Sequence, residues 1–247
     1  MSSSDHDEDD PVDLERWILG SDGEDYEEED DPPHFYEWKT LYPELETLVK
    51  NIPVIRKEAE KMEKALRYTP WPESNLYNRT DQDGDWKVVP LLYTFPAYDP
   101  SKSRWVEANC AQCPETAALL KSIPSIRTAL FSRMGANTRL SSHRGWADLA
   151  NHVLRCHLTL RVPDEPNACG VWVEGEVQHH APGKLIVFDD SHNHKAFNSS
   201  LTQDRIVLIF DMIRPPNVQP GAADKGHTEA LDDFIENFEK SLDVFAK

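Results

Sequence analysis

The sequence predicts a mainly β domain, an antiparallel sandwich or barrel with flanking helices. Three observations predict it. Strand-type runs fill the stretch from Ile126 to Ile213: TALFSRM, HVLRCHLTLRV, CGVWVEGEV, GKLIVFDD and RIVLIFDMI. Turn-forming clusters separate them, PDEPNACG, HHAPGK and NSSLTQD, with no helical pattern between; strands joined by turns alone pair antiparallel. Helical periodicity appears only on either side of this stretch.

Taken in chain order, the first element is charge. Residues 1–31 carry fifteen Asp and Glu against the single Arg16, a net −14 of the chain's −18. A segment so charged cannot bury enough apolar area to offset its ordering entropy, so residues 1–34 read as a disordered acidic tail. Within it PVDLERWILG, at 11–20, is either a short partner-docking helix around Trp17 or an unstructured stretch. Residues 35–247 read as one domain. Its helical N-terminal part covers 35–122. Leu41, Leu45 and Leu48 recur at helical spacing, Pro53 breaks the run, and a charged helix follows over Ile55–Leu66. Residues 67–105, rich in Pro, Tyr and Trp, read as irregular structure with short strands such as Trp86–Tyr93. Cys113-Pro114 opens a helix that runs to Lys121, with Pro114 in its first turn. The β core spans 126–216. The C-terminal helix, 227–246, is amphipathic, with Leu231, Phe234, Ile235, Phe238, Leu242 and Phe245 on one side, placed to pack on the β domain or to pair in a dimer.

Composition excludes several classes. Without the tail, the remaining 216 residues carry only −4, so no positive footprint for a nucleic acid is present. No run of eighteen apolar residues exists, so no membrane span is expected. MSSSDHDEDD has neither the basic nor the apolar region of a signal peptide. The expected location is the cytoplasm or nucleus, where Cys110, Cys113, Cys156 and Cys169 stay reduced. Cys110-x-x-Cys113 is at most half a zinc site, because no second pair matches it.

The chemistry concentrates in the β core. Seven of the ten histidines lie within residues 143–194, and neutral imidazole is the commonest ligand of first-row metals. In 183–216 an apolar strand ends in Asp189-Asp190, a turn carries His192 and His194, and a second apolar strand begins with Arg205. A guanidinium at a buried strand start needs a partner. Either a sheet-edge carboxylate or a bound dicarboxylate would serve.

Residues 183–216 resemble the C-terminal catalytic motif of the aspartyl/asparaginyl β-hydroxylase family. The similarity continues upstream through CGVWV (169–173), LRCHLTLRVP (154–163), HRG (143–145), FSRM (131–134) and CPETAALL (113–120), covering roughly residues 100–216. The resemblance implies a double-stranded β-helix, or cupin-like jelly roll, that uses Fe(II), 2-oxoglutarate as co-substrate and O2. It implies His143 and His194 as the two iron ligands and Gly145 at a vacant carboxylate position. It also implies Arg205 and Ser132 as the clamp for the distal carboxylate of 2-oxoglutarate. Met134, Arg155 and His157 would line the same pocket. His152, His179, His180 and His192 are then expected to face solvent or to neighbour the site. Asp189 and Asp190 are expected to cap the turn and orient their neighbours.

This sequence departs from the family's pattern in three places. The interval from His143 to His157 is about three residues longer, Thr159 stands within His157-Leu-Thr-Leu, and Trp172 takes the place of a basic residue. These leave the metal and cofactor set intact and open the substrate. The implied product is a hydroxylated Asp or Asn side chain of a protein or peptide. Alternatives are hydroxylation or halogenation of a small molecule or acyl chain. An alternative of another class is a non-catalytic β domain that binds a partner through its tails.

Overall fold

The structure, a computed structural model, describes residue 17 and residues 33–79 and 82–245. Residues 1–32 of the acidic tail, including the PVDLERWILG motif and with Trp17 apart, lie outside the described residues, so the expectations placed on them stand as stated; His34 is held to the domain, its carbonyl accepting from Asp189 N at 3.1 Å.

The strands are β1 (Phe35–Tyr36), β2 (Thr69–Pro70), β3 (Asn78–Arg79), β4 (Gln82–Asp83), β5 (Trp86–Thr94), β6 (Ser103–Trp105), β7 (Ile126–Met134), β8 (Thr138–Arg139), β9 (Val153–Arg161), β10 (Cys169–Val173), β11 (Glu176–His179), β12 (Leu185–Phe188), β13 (His194–Asn198) and β14 (Arg205–Ile213). A larger sheet runs β1-β12-β9-β14-β7-β5-β2, with β6 also on β5, and a smaller one runs β11-β10-β13-β8. The β3–β4 pair stands apart. The pairings are antiparallel, as expected. The two sheets pack face to face: Val171 and Val173 of β10 lie against Ile186 and Phe188 of β12, and Ala196 of β13 lies with Val88 and Met134. This is a jelly roll.

The helices are α1 (Trp38–Leu41), α2 (Glu46–Lys50), α3 (Ile52–Lys64), α4 (Glu107–Cys110), α5 (Pro114–Lys121), α6 (Ala147–Ala150) and α7 (Glu229–Phe245). The helical run breaks just before Pro53, as expected: α2 ends at Lys50 and α3 begins at Ile52, with Pro53 in its first turn, where its missing N–H costs nothing. Along α3, Ile55, Glu58, Ala59 and Met62 are buried, the helical spacing of a core-facing stripe. Glu58 is there for a reason: its carboxylate accepts from Glu115 N at 3.1 Å, Thr116 N at 2.7 Å and Thr116 Oγ1 at 2.6 Å. It thus caps the N-terminus of α5 from a neighbouring helix.

The central strands β7, β9 and β14 are covered on both faces. Their period-two alternation sends Ala129, Phe131, Leu154, Cys156, Leu158, Leu208, Phe210 and Met212 to the face under the helices, where they join Leu48, Ile55, Met62 and Leu120. The opposite residues face the smaller sheet. Cys110 and Cys113 sit in the helix-side core, with burial raising their thiols to about 11 and about 12. Both are free thiols, apolar packing elements rather than metal ligands. The strand expected over Trp86–Tyr93 is β5, Trp86–Thr94, and it carries Pro90 beside a register shift, where a ladder N–H is dispensable. β13 was not foreseen as a strand. Among the described residues, no helix is long and apolar enough to cross a membrane.

Candidate active site

Four cross-strand rows build the inner face of the larger sheet. Register pairs share a face, so the rows read Trp86–Met134–Arg205, then Val88–Ser132–Val207–Thr159, then Pro90–Leu130–Ile209–His157–Ile186, then Thr128–Asp211–Arg155–Phe188. Polar side chains that lie from 2 residues apart (Arg155 and His157) to 83 apart (Thr128 and Asp211) in sequence thereby stand on one surface.

His143 and His194 meet across the rim of the smaller sheet. His194 opens β13, and His143 pairs with it as an isolated bridge. His143 N donates to His194 O at 3.1 Å, and His194 N to His143 O at 2.9 Å. Their ring centroids lie 4.2 Å apart. Each Nδ1 donates to a main-chain carbonyl, His143 to Ser141 O at 2.8 Å and His194 to His192 O at 3.0 Å. A carbonyl can only accept, so each Nδ1 carries the hydrogen and each Nε2 keeps its lone pair. Desolvation pushes His143 down to about 4 and His194 well below its ordinary value. Both rings are neutral at pH 7, the state a metal ligand needs. The turn at Glu174-Gly175 steadies this rim: Glu174 N donates to Asn193 O at 3.2 Å and Asn193 N to Glu174 Oε1 at 2.9 Å.

No third carboxylate, His or Cys joins these two histidines as a metal-holding group among the described residues. Gly145 explains part of this. A Cβ there would come within 2.5 Å of Asp190 Oδ2 and 2.7 Å of Ala150 Cβ. The space a side chain at 145 would take is occupied by the Asp190 carboxyl. Asp189 behaves as expected, its Oδ1 accepting from Ser191 N and Oγ, and it also pairs with Arg214 at 2.6 Å. Asp190 does not cap a turn. It is fully buried, with Oδ2 2.8 Å from Arg155 Nη1 in an ion pair that lacks hydrogen-bond alignment, and Oδ1 has no partner. Burial pushes its carboxyl up to about 7, against the pull of Arg155. Arg155 also donates to both oxygens of Asp211, at 2.9 and 3.1 Å, and Thr128 Oγ1 donates to Asp211 as well. Arg155 is therefore held between two carboxylates.

Arg205 presents the opposite case. It is 1% exposed, and its Nε and Nη1 have no hydrogen-bond partner. The adjacent carboxylate, Asp204, is consumed by Arg133 and Arg161, which also share Glu63. The sheet-edge salt bridge considered for Arg205 does not form, and desolvation lowers its guanidinium to about 10. Near it, Thr159 Oγ1 is also buried without a partner. Ser132 Oγ accepts from Trp86 Nε1 at 3.0 Å and retains its own hydrogen to donate. Unpaired buried donors around an unpaired guanidinium cost stability unless an anion completes them. The residues present fit a dicarboxylate such as 2-oxoglutarate.

A cavity of about 390 Å³ opens beside His143. His143, Arg155 and Asp211 are among its polar lining residues, with Glu73, Arg144 and Lys225. Its walls are aromatic: Trp71 stacks on Trp86 at 4.8 Å and on Trp146 at 6.0 Å. Leu231, Phe234 and Ile235 of α7 form one side, so the amphipathic stripe packs on the β domain at least through these three residues. The other three residues of the stripe lie outside the described side chains. Arg205, Ser132, Met134 and His157 do not line this cavity. Trp86 links the cavity to the Arg205 group, its ring in the cavity wall and its N–H on Ser132.

The sequence reading missed three features. One is Asp190 in the space beside Gly145. The second is the Trp71–Trp86–Trp146 wall, assembled from the irregular stretch and a loop. The third is the pairing of His180, expected to face solvent or to neighbour the site, with His157: it is buried, and its Nε2 lies 3.2 Å from His157 Nδ1. His152, His179 and His192 are half-buried.

A jelly roll that offers two neutral histidines at one rim and an unpaired arginine within defines a class, the metal-dependent oxygenase scaffold. The comparisons narrow it. The Aspartyl/Asparaginyl beta-hydroxylase family profile matches residues 49–215, and the chain belongs to that family. It is 34% identical over 187 residues to an ornithine lipid ester-linked acyl 2-hydroxylase from Rhizobium tropici, covering 74% of this chain and 61% of that one. It is 31% identical over 180 residues to the human aspartate beta-hydroxylase domain-containing protein 2, covering 70% of this chain and 45% of that one. The chain thus spans less than two thirds of the length of either relative. In structure it is similar to a 2OG-Fe(II) oxygenase family oxidoreductase from Burkholderia pseudomallei (TM-score 0.47, 15% identity, 65% of this chain and 80% of that one).

Proposed function

We propose that this chain is an Fe(II)/2-oxoglutarate-dependent dioxygenase that hydroxylates an unactivated C–H bond on an apolar chain. The observation that carries the reading is a buried, unpaired guanidinium, fit for a dicarboxylate, linked through Ser132 and Trp86 to an aromatic-walled cavity that His143 lines. In this reading Nε2 of His143 and of His194 hold the iron, while Arg205 and Ser132 clamp the distal carboxylate of 2-oxoglutarate. Met134 and His157 complete that pocket. When bound, iron with 2-oxoglutarate and O2 supplies the hydrogen-abstracting and hydroxyl-delivering chemistry. The chain's own residues bind, orient and exclude. The main-chain carbonyls of Ser141 and His192 aim the two imidazoles. Trp71, Trp86 and Trp146 keep water from the reacting C–H and hold it near the metal rim. Arg155, paired with Asp190 and Asp211, contributes to the charge of the cavity lining.

The lining favours an acyl-type substrate, and the acyl hydroxylase relative points the same way. A second reading, hydroxylation of an Asp or Asn side chain in a protein or peptide, is favoured by the family's name and by Arg144 and Lys225 at the cavity wall. One experiment separates them. Succinate release and a one-oxygen mass gain are followed with Fe(II), 2-oxoglutarate and either acyl substrates of graded length or Asp- and Asn-containing peptides. For the acyl reading, kcat/KM falls about fourfold per methylene removed, from ~0.8 kcal/mol per buried CH2. Turnover of peptides alone overturns it. Absence of succinate release and of the anaerobic charge-transfer band overturns the enzyme reading. A chlorinated product in chloride would replace hydroxylation by halogenation.

A further inference from the structure

His157 and His180 form a second histidine pair, deeper than the first. Both are buried, at 4% and 5% exposure. Nδ1 of His157 lies 3.2 Å from Nε2 of His180, and the rings stack at 5.5 Å with 19° between planes. Burial keeps both neutral, reinforced on His157 by the neighbouring His180 and then by Arg205, and on His180 by the positive charge of Arg205. Two neutral imidazoles share one hydrogen along that line, which leaves two arrangements. If His157 Nδ1 donates, its Nε2 is a lone pair, and His180 carries an N–H at Nδ1, an atom with no partner. If His180 Nε2 donates, His157 carries its hydrogen at Nε2, and the unpartnered Nδ1 of His180 is a lone pair.

The surroundings choose. In the first arrangement a buried N–H without an acceptor is set against a guanidinium that itself lacks acceptors at Nε and Nη1. In the second the unpartnered atom is a lone pair in the field of that guanidinium. Only the second gives His157, on the same sheet face as Arg205, a hydrogen to offer to an anion. We propose that His180 is a positioning residue of the 2-oxoglutarate pocket: its Nε2–H donates to His157 Nδ1 and fixes His157 as an Nε2–H donor to the carboxylate bound by Arg205. This rests on the reading of Arg205 and His157 as 2-oxoglutarate-binding groups.

The test has two independent readouts on the full chain. Nitrogen-15 NMR of the histidine rings, without metal, reports the tautomers directly. His157 protonated at Nε2 and His180 protonated at Nε2 are expected, and His157 protonated at Nδ1 overturns the proposal whatever the variants do. The second readout is the 2-oxoglutarate Kd, from the anaerobic Fe(II) charge-transfer band and from thermal shift. His180→Phe, which keeps a ring but no donor, raises that Kd about tenfold or more. His180→Gln, which keeps an N–H near Nε2, stays within about threefold of wild type. Equal affinity in wild type and His180→Phe overturns the role of His180 and leaves the 2-oxoglutarate reading intact. No 2-oxoglutarate binding by wild type overturns both.

Discussion

The two histidine pairs solve one problem in two ways. His143 and His194 have their Nδ1 hydrogens committed to the main-chain carbonyls of Ser141 and His192. His157 has its Nδ1 committed to another side chain, His180. The first pair's tautomer is written into the backbone of a β-bridge, and no substitution outside the pair can change it without moving that bridge. The second pair's tautomer depends on which side chain stands at one position. Rigid anchoring suits a metal, whose lone-pair donors must not switch. A side-chain relay suits a co-substrate pocket, where the donor pattern is set by what surrounds the anion.

The largest effect should come from the first pair. His143→Ala and His194→Ala are expected to reduce succinate release to background, with anaerobic iron titration showing the loss of the site. His192→Ala removes a side chain but not the carbonyl that His194 uses, and iron affinity should change far less. A loss as large as that of His194→Ala would break the comparison.

Arg205→Met sharpens it next. Removing an unpaired buried guanidinium should raise the 2-oxoglutarate Kd about 10- to 100-fold, from the ~1.5–3 kcal/mol of hydrogen bonds to a charged group. The same change should stabilise the metal-free fold, by about 1–3 kcal/mol in denaturant titration, because the unfilled donors go with it. Destabilisation instead would show that Arg205 has a partner within the fold. Gly145→Asp tests whether a carboxylate can be returned to the rim. With Asp190 Oδ2 2.5 Å from the new Cβ, overpacking should cost about 1–3 kcal/mol. Adding Asp190→Ala should recover part of that loss, and additive losses in the double variant would contradict the shared space.

Acid is expected to act on both pairs. His143, His194, His157 and His180 all have folded values below the ordinary 6.5. Between pH 6.5 and 4 the unfolded chain binds protons that the folded chain refuses, so stability rises with pH across that window. Metal-free protein should therefore lose up to about 1.4 kcal/mol per pH unit per group on acidification. His180→Gln removes one group, and its slope should be shallower. Asp190 works against this trend: its folded value, about 7, is above the ordinary 3.8, so its own contribution falls as pH rises through 4 to 7.

Much of the fold was legible because strand-type apolar runs such as TALFSRM and RIVLIFDMI were bounded by turn residues. β13 escaped because its five residues, HKAFN, carry a histidine, a lysine and an asparagine, and its strand character comes from pairing with β10 and β8. The break beside Pro53 was legible because a proline cannot continue a helix but fits the first turn of the next one. The role of Glu58 as the cap of α5 was invisible, since its partners are 57 and 58 residues away.

By itself, the sequence determined the long apolar strands, which residue types cluster, and that His143 and His194 lie among motifs of one hydroxylase family. Local pattern and motif order suffice for that. Tertiary structure alone decided that Arg205 has no carboxylate while Arg155 has two, and that Asp190 fills the space beside Gly145. It also decided that His180 stacks on His157 and that three tryptophans wall a cavity beside His143. Pairing, burial and hydrogen sharing depend on register between strands that are distant in sequence, and register exists only once the sheets have formed.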